Sequence, residues 1–368
     1  MNHHSGLVIV SWNANGLLGK VRDLREFLNN YKPDIMLIQE THLRTADKCY
    51  FPNYKFYSTP SRTGYGMRGT GVIIKSKIPY YPISNPLLYY VEATMVMVNL
   101  RDLPPINIIS LYNPPNNDCQ YTTDLESPIA YNSSTFIAGD FNAKHRMWNC
   151  ARANKLGNQL NSFALHAKMK IIAPEYPTFH ARHSESVIDL AITRNINYHI
   201  TADSLIELCS DHLPVRFLID TKTNPSLYDV KKFTPNWKKF QEYLLSVDTS
   251  YPPPNTKKEI ETEVNTLTSL IIEAHTQTGK WVTEKPDIYS EAIRTQKETR
   301  NRLRRVWQRS RHPEDKRNFN RAHNSLKKLY EIRDNRNYTN EITSLSPRMV
   351  RCGSTLKESP ESIKKCPP

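Results

Sequence analysis

Short apolar runs that stop at polar residues dominate the first 220 residues of the chain. The runs at 7–11, 35–38 and 136–138 predict buried strands that open into loops. The same reasoning predicts further strands at 54–57, 71–75, 91–100, 106–112, 187–193 and 213–220. Residues 91–100 and 106–112 are close enough to form an antiparallel pair. Hairpins of this kind outnumber strand–helix–strand units along the chain.

Apolar residues with helical spacing occur at only two places in this part of the chain. Residues 20–31 carry an apolar stripe with Pro33 beyond its end, and residues 158–168 form the second predicted helix. Many short strands with few helices are typical of a layered α+β or mixed α/β sandwich. They do not fit a doubly wound parallel sheet.

The composition changes after residue 224. Pro252, Pro253 and Pro254 predict a rigid spacer, and residues 257–274 have helical periodicity. In residues 290–336, Lys and Arg outnumber Asp and Glu by more than two to one, with a thin apolar stripe. This pattern predicts a basic helical pair around His312–Pro313, read either as a solvated linker or as a nucleic-acid-binding surface. Residues 346–368 are predicted to be disordered.

Charge and cysteine content restrict the class of protein. The net charge is +14, and residues 225–368 carry +10 of it (28 Lys+Arg against 18 Asp+Glu). Polyanionic partners are therefore expected. The six cysteines include no C-x-x-C pair, and no apolar run reaches 18 residues. Neither a zinc site nor a membrane span is predicted, and a reducing intracellular compartment fits this pattern best.

Polar residues interrupt or follow most of the apolar runs. Each of them taken alone has an ordinary structural explanation, such as a turn or a helix cap. Asp189 is harder to explain, because an unpaired buried carboxylate is costly. If the chain stays extended past Gly139, the side chains of Asp140 and Asn142 leave one face of the strand. The set comprises Asn13, Asn15, Glu40, Tyr112, Asp140, Asn142, Asp189, Asp211 and His212.

Taken in order, these residues lie in a series of motifs that resembles the endonuclease/exonuclease/phosphatase superfamily. The motifs are S-W-N-A-N-G-L (11–17), Q-E-T (39–41), Y-N-P-P (112–115), G-D-F-N-A (139–143), V-I-D-L-A-I (187–192) and S-D-H-L-P-V (210–215). Within that superfamily, residues 5–220 look most like the apurinic-endonuclease-like domain of jockey-type non-LTR retrotransposons. Asn15, where repair enzymes tend to carry Asp, and A-K-H-x-x-W (143–148) favour that branch.

The resemblance implies a DNase I-like, four-layered sandwich of two packed sheets flanked by helices, with a basic helical C-terminal extension. It also implies a Mg²⁺-dependent phosphodiesterase, with Mn²⁺ as a substitute ion. Glu40 would be the main metal ligand, beside Asn13 or Asn15, with Asp211 at a second position. Asp140 would orient or deprotonate the attacking water, and Asn142 and Tyr112 would contact the phosphate or the leaving group. His212 would contact the phosphate or act as acid or base, held by Asp189.

Five loop residues are candidate DNA contacts, namely Arg62, Arg68, His145, Arg146 and Trp148. For Trp148, core packing is an equal alternative. The domains are expected at 5–222 (endonuclease), 223–345 (basic helical linker) and 346–368 (tail). The second segment resembles the linker that precedes a reverse transcriptase in such elements. Because no Y-A-D-D motif follows, a chain lacking that domain is expected.

Three functions remain open at this stage. The first is an endonuclease that nicks double-stranded DNA in the nucleus and leaves a 3′-hydroxyl for target-primed reverse transcription. The second is an abasic-site repair nuclease, or a phosphatase of the same superfamily. The third is a remnant without catalytic activity that binds nucleic acid, including RNA, through its basic C-terminal region and associates with no membrane.

Overall fold

The structure is a computed structural model that describes residues 6–61, 67–100, 103–117, 120–180, 184–221, 231–247, 254, 256–283 and 290–344. Contacts between residues divide the chain into two compact units, Met1–Asp287 and Ile288–Pro368. No helix in the described ranges combines the length and apolar character needed to cross a bilayer. Pro252, Pro253 and the tail predicted at 346–368 lie outside the described residues.

The strands of the described residues all lie in the first unit. The strands are β1 (Leu7–Asn13), β2 (Ile35–Gln39), β3 (Tyr54–Thr59), β4 (Thr70–Lys75), β5 (Tyr80–Ile83), β6 (Glu92–Val98), β7 (Ile106–Tyr112), β8 (Thr135–Asp140), β9 (Lys170–Ile172), β10 (Phe179–His180), β11 (Glu185–Ser186), β12 (Asp189–Arg194), β13 (Ile200–Ser204), β14 (Val215–Ile219), β15 (Lys231–Thr234) and β16 (Lys280–Thr283). The helices of the described residues are α1 (Val21–Tyr31), α2 (Thr123–Tyr131), α3 (Lys155–His166), α4 (Trp237–Ser246), α5 (Lys257–Thr278), α6 (Glu291–Ser310) and α7 (Pro313–Ser344).

Twelve of these strands form two mixed six-stranded sheets. The first sheet has the order β13-β14-β1-β2-β4-β3, and the second has the order β5-β6-β7-β8-β12-β9. In the first sheet β1 and β2 are parallel, and in the second β7 and β8 are parallel. The predicted antiparallel pair of β6 and β7 is confirmed. Parallel pairs lie at the centre of each sheet, where both faces are covered.

The core has three layers of apolar contacts, which makes the first unit a four-layered sandwich. Ile9 and Phe217 of the first sheet pack against Ile108 and Phe136 of the second. The outer face of the first sheet packs against α1, and the outer face of the second packs against α2 and α3. The predicted two-sheet sandwich is therefore confirmed. Its central strands are buried on both faces, which is why their sequences read as continuous apolar runs.

Some elements carry no clear signal in the sequence. Strands β5, β9 and β13 are edge strands of three to five residues, too short for a periodicity to stand out. Helix α2 contains Pro128 and has only weak amphipathic character, so its pattern resembles a loop. These elements lie at the edges and on an outer face of the sheets, so their burial depends on neighbours that are distant in the chain.

The second unit contains two helices that pack against each other. Helix α6 ends at Ser310 and α7 begins at Pro313, which confirms the predicted basic helical pair around His312–Pro313. Ile293, Leu326 and Tyr330 form a small apolar cluster. The Trp307 and Phe319 rings stack with centroids 5.6 Å apart. The boundaries expected at residues 222 and 345 stay predictions.

At one end of the sandwich, the strand pairing places polar residues in two facing rows. In the first sheet the row runs Asn13, Gln39, Thr70 and Thr59, each paired with the next. In the second sheet the row runs Glu92, Tyr112, Asp140 and Asp189, again each paired with the next. Residues directly opposite in a sheet point to the same face. We call these eight residues the polar edge.

Candidate active site

Asp140 lies at the centre of the polar edge, where β8 ends. Its carboxylate is 1% exposed. Oδ2 accepts hydrogen bonds from the side-chain nitrogens of Asn13 at 2.9 Å and Asn142 at 3.3 Å, and Oδ1 accepts from the Asn142 backbone N–H at 3.0 Å. The preceding Gly139 fixes this position, because a Cβ there would lie 1.8 Å from the Leu111 carbonyl oxygen. Only glycine therefore allows β7 and β8 to pair at this point.

Asn142 reaches Asp140 by a route that differs from the sequence expectation. Strand β8 ends at Asp140, and Asn142 adopts a left-handed conformation with φ of 48°. The extended conformation on which a shared strand face depended therefore does not reach Asn142. The turn brings them together instead, since both the backbone and the side-chain nitrogen of Asn142 donate to Asp140. Asn142 Nδ2 also donates to the Asn113 carbonyl oxygen at 3.0 Å.

His212 lies between two buried carboxylates. Its Nδ1 is 2.8 Å from Asp189 Oδ2, and its Nε2 is 3.7 Å from Asp140 Oδ2. Thr178 donates from its hydroxyl to Asp189 Oδ2 at 2.6 Å and so fixes the carboxylate that holds the imidazole. Asp140 and Asp189 are paired in register on β8 and β12, which explains how residues 49 positions apart flank one ring.

The electrostatics of this group favour a protonated histidine. Burial lowers the pKa of His212, but the charges of Asp189 and Asp140 outweigh burial and raise the pKa to about 10. Burial raises the pKa of Asp140 to about 7, against the opposing effect of the His212 charge. Both ring nitrogens of an imidazolium are donors. The pair therefore presents a cation and a carboxyl group that titrates near neutral pH at one spot.

Glu40 and Tyr112 form the neighbouring part of the site. Glu40 follows β2 in a left-handed conformation, with φ of 46°, and its Oε1 accepts from Asn13 Nδ2 at 2.9 Å. The same Asn13 nitrogen thus touches both Glu40 and Asp140. Burial, followed by the charges of Glu40 and Asp140 and a hydrogen bond to Glu40, raises the pKa of Tyr112 above its usual range. The Tyr112 hydroxyl therefore stays protonated and can donate.

The other predicted ligands are Asn13, Asn15 and Asp211. Asn13 Oδ1 accepts from the Asn15 backbone N–H at 3.0 Å, so Asn13 presents its nitrogen, not its oxygen, to the carboxylates. Asn15 and Asp211 are exposed and meet each other, with Asn15 Nδ2 donating to Asp211 Oδ1 at 3.3 Å. Burial opposes ionisation of Asp211, but His212 and the hydrogen bonds from Ser210 and Asn15 lower its pKa overall.

Two groups of side chains carry the atoms that a divalent cation binds. In the first, Glu40 is partly exposed, and Asn15 and Asp211 are exposed and hydrogen-bonded to each other, which suits a hard ion that keeps several waters. Asp140, Asp189 and His212 each offer one ligand atom within 4.8 Å of the others. In the second group, both ring nitrogens of His212 already face carboxylates, so this group is better suited to holding a proton than a metal ion. The first group fits Mg²⁺ on donor chemistry.

The predicted DNA contacts fall into three classes. Arg62 lies outside the described residues. Arg68 is partly exposed and lies just before β4. After β8, His145 is partly exposed and Arg146 is exposed. Trp148 is 2% exposed and its Nε1 donates to the Ala143 carbonyl oxygen at 3.1 Å. Core packing is therefore its role, and its assignment as a DNA contact was wrong, because the ring fills the space between β8 and α3.

Two residues of the site were missed by sequence reasoning. Thr178, which fixes Asp189, lies in a short loop without any distinguishing pattern. Glu92 completes the polar edge of the second sheet and is 5% exposed. The signal for Glu92 was present, since it is a carboxylate inside an apolar run, like Asp189. Its partners, however, come from a part of the chain that only the fold brings close.

Comparison with known proteins agrees with this geometry. Residues 106–216 match the family model described as endonuclease-reverse transcriptase. The chain is 33% identical over 218 residues to the RNA-directed DNA polymerase from mobile element jockey of Drosophila melanogaster. The aligned residues cover 57% of this chain and 23% of that protein. The matched part of the chain is therefore similar to endonuclease-reverse transcriptase proteins of mobile elements.

Two further comparisons describe the extent of the similarity. The chain is 28% identical over 335 residues to the probable RNA-directed DNA polymerase from transposon X-element of Drosophila melanogaster. The aligned residues cover 87% of this chain and 36% of that protein. The chain therefore spans between about a quarter and two fifths of these relatives. The crystal structure of an AP endonuclease from Leishmania major superposes with a TM-score of 0.52 at 15% identity, over 60% of this chain and 89% of that one, and shares the fold of the two-sheet sandwich.

Proposed function

We propose that the endonuclease-like domain is a Mg²⁺-dependent DNA endonuclease that nicks one strand of a duplex and leaves a 3′-hydroxyl, the primer for target-primed reverse transcription. The observation that carries the proposal is the buried group of Asp140, His212 and Asp189, with Asn13, Asn142 and Glu40 around it. Nuclear location and double-stranded DNA as partner belong to the same proposal.

The side chains supply what phosphodiester hydrolysis needs. Asp140, whose pKa lies near neutral pH, accepts the proton of the attacking water. Oxygen from that water bonds to phosphorus and the bond from phosphorus to the 3′-oxygen breaks, which gives a 5′-phosphate and a 3′-hydroxyl. The departing 3′-oxygen takes a proton, for which His212 and Tyr112 are the donors at hand. Asn142 and the His212 cation face the charge that builds on the phosphate oxygens.

Glu40, with Asn15 and Asp211, would hold the Mg²⁺ ion. When bound, the ion neutralises charge on the phosphate and helps stabilise the leaving oxygen. Glu40 Oε1 is already oriented by Asn13, which fixes the carboxylate next to Asp140. Asn15 contributes an amide, so a smaller negative charge at this position weakens ion binding relative to a carboxylate.

A plasmid nicking assay tests the proposal. Supercoiled plasmid, full-length protein and Mg²⁺ should give open circles that a polymerase extends. Addition of EDTA should abolish nicking, and the Asp140→Asn variant should not nick the plasmid. Lys75→Ala is a matched control, because it breaks the ion pair with Asp34 at the opposite end of the strands. Binding of duplex without metal-dependent nicking would refute the proposal and favour a non-catalytic nucleic-acid-binding protein.

A second assay separates this activity from abasic-site repair. A duplex with one abasic analogue and the matched intact duplex are cleaved in parallel. Preference for the abasic duplex by more than about a hundredfold in kcat/KM, worth roughly 3 kcal/mol, would favour the repair function instead. Comparable cleavage of both fits the nicking function.

The basic helices α6 and α7 are proposed to bind RNA. Arg311 and Lys316 lie over the Trp307 ring at 5.8 and 5.7 Å from its centroid, so cations and an aromatic face occur together. The proposed division of the chain keeps 5–222 as the endonuclease and 223–345 as the basic linker. Full-length protein should bind single-stranded RNA with a salt-dependent affinity that Trp307→Ala and Lys316→Ala reduce. Unchanged binding in both variants would remove this part of the proposal.

A further inference from the structure

Glu92 is a buried carboxylate that the proposed mechanism does not use. It is the first residue of β6, is 5% exposed and pairs in register with Tyr112 on β7. Residues in such a pair point to the same face, with Cβ atoms about 4.5–5.5 Å apart. Glu92 therefore lies beside the proposed catalytic group, in the same row as Tyr112 and Asp140.

Both oxygens of Glu92 bind the connection between β3 and β4. Oε1 accepts from the Ser61 hydroxyl at 3.0 Å, and Oε2 accepts from the Gly69 backbone N–H at 2.6 Å. Ser61 follows β3 and Gly69 precedes β4, so one carboxylate joins the two ends of this connection. These donors are neutral, and burying a carboxylate with neutral donors alone is costly. A neutral side chain would fill a purely structural role at a lower free-energy cost of burial.

Gly69 and Arg68 are held from the opposite side as well. The Gly69 carbonyl accepts from Thr41 N–H at 3.1 Å, and the Arg68 carbonyl accepts from His42 N–H at 2.8 Å. Gly69 has φ of 94°, and a Cβ there would lie 2.8 Å from Thr41 Oγ1. The backbone of Arg68 is thus fixed between Glu92 and the segment that directly follows Glu40.

The Arg68 side chain is partly exposed and lies next to the polar edge in the chain. Only Gly69 separates Arg68 from Thr70, which pairs with Gln39 in that edge. An arginine at the rim of a site with a fixed backbone is well suited to a phosphate, because its planar fork binds two oxygens at once.

We propose that Glu92 is a positioning residue, whose carboxylate fixes the Ser61 and Gly69 ends of the connection so that Arg68 grips a DNA backbone phosphate next to the one being cleaved. This inference rests on the proposed nuclease function for the identity of the ligand. Glu92 itself touches neither the DNA nor the reacting atoms.

A double-mutant cycle tests this role. Glu92→Gln leaves one acceptor oxygen for the two donors, so Ser61 or Gly69 loses the acceptor that it has in the unmodified protein and the connection is held less firmly. Arg68→Ala removes the phosphate contact. Full-length protein binds a labelled duplex in EDTA across a salt series, and nicking with Mg²⁺ gives kcat and KM. Each single variant should weaken binding about tenfold and reduce the salt slope by about 0.9, the loss of one phosphate contact, and its effect on nicking should be larger on KM than on kcat.

The decisive result is the double variant. If Glu92 acts through Arg68, Glu92→Gln adds less than about twofold in the Arg68→Ala background, whereas independent effects multiply. Asp34→Asn is the matched control, because Asp34 is also a buried carboxylate that accepts a backbone N–H, but at the far end of β2. It should lower thermal stability and leave both affinity and salt slope unchanged. If Glu92→Gln fails to fold, Ser61→Ala replaces it and should weaken binding about threefold, with the same non-additivity.

Three results would overturn the inference: full multiplication of the two effects, an unchanged salt slope in the Glu92 variant or its substitute, or no duplex binding by the unmodified protein. An unmodified protein that binds the duplex but does not nick it would refute the proposed function alone. The binding cycle would still decide the role of Glu92 in that case.

Discussion

Removing the charge of Asp189, while keeping its shape, is the sharpest test of the proposed mechanism. Asp189→Asn keeps a side-chain oxygen that can accept from His212 or Thr178, but not the negative charge. In the unmodified protein, Asp189 makes the largest contribution that raises the pKa of His212, and together with Asp140 and Asp211 it outweighs the effect of burial. Without the charge of Asp189, the pKa of His212 falls, because burial is then opposed only by Asp140 and Asp211.

The expected magnitude follows from the contacts of Asp189. Its carboxylate accepts from His212 Nδ1 at 2.8 and 3.1 Å and from the Thr178 hydroxyl at 2.6 Å. Hydrogen bonds to a charged group are worth about 1.5–3 kcal/mol each. Losing the charge at two partners therefore costs about 3–5 kcal/mol of transition-state stabilisation, or a factor of about 10² to 10⁴ in kcat.

Single-turnover nicking measures this effect. Full-length Asp189→Asn and the unmodified protein are compared at saturating Mg²⁺ from pH 6 to 9, with circular dichroism to confirm folding. Asp34→Asn is the control, since it removes a buried carboxylate that accepts from the Val8 backbone N–H and pairs with Lys75 away from the polar edge. It should lose stability and keep its nicking rate.

Retention of nicking in the Asp189 variant to within about threefold of the unmodified rate would refute the reasoning. That result would mean that the imidazolium does not act on the phosphate. Equal loss of activity in the Asp34 control would also refute it, because the loss would then reflect general destabilisation and not the charge beside His212.

Further predictions concern the rest of the site. Asp140→Asn should reduce nicking by at least about 10³, because it removes the base and replaces one of the two oxygens that accept from Asn13 and Asn142 with a donor, as rate measurements will check. Glu40→Gln should raise the Mg²⁺ concentration needed for half-maximal nicking about tenfold or more, measured by metal titration. In EDTA, the free energy of unfolding should fall as pH rises from about 6.5 toward 10, because His212 binds a proton more tightly when folded, with a pKa of about 10, than when unfolded. His212→Asn should flatten that dependence in denaturant titrations. Gly139→Ala should prevent folding, since its Cβ would lie 1.8 Å from the Leu111 carbonyl oxygen, and proteolysis will detect this.

The sequence alone predicted the main strands and the class of fold. Strands such as β1, β2 and β7 are buried on both faces. Their sequences are therefore continuous apolar runs, which predict strands without a structure. The basic helical pair was equally legible, because Pro313 separates two helical patterns. Short edge strands and α2 were not, because their burial depends on neighbours distant in the chain.

Residues singled out at the ends of apolar runs, such as Asp140, Asp189 and His212, meet in the structure, and their roles in the site stay predictions. The arrangement of these residues was decided by the tertiary structure. Asn142 reaches Asp140 through a left-handed turn and not along an extended strand. Trp148 packs into the core, although its motif allowed a surface role.

Register is the physical reason for this division. A polar residue at a strand end is visible in the sequence, but its neighbours across the sheet depend on how strands pair. Only the pairing of β6, β7, β8 and β12 places Glu92, Tyr112, Asp140 and Asp189 in one row. Only the packing of the two sheets brings Asn13 to Asp140, 127 residues away in the chain. The sequence determined which groups the site contains, and the fold determined which of them meet.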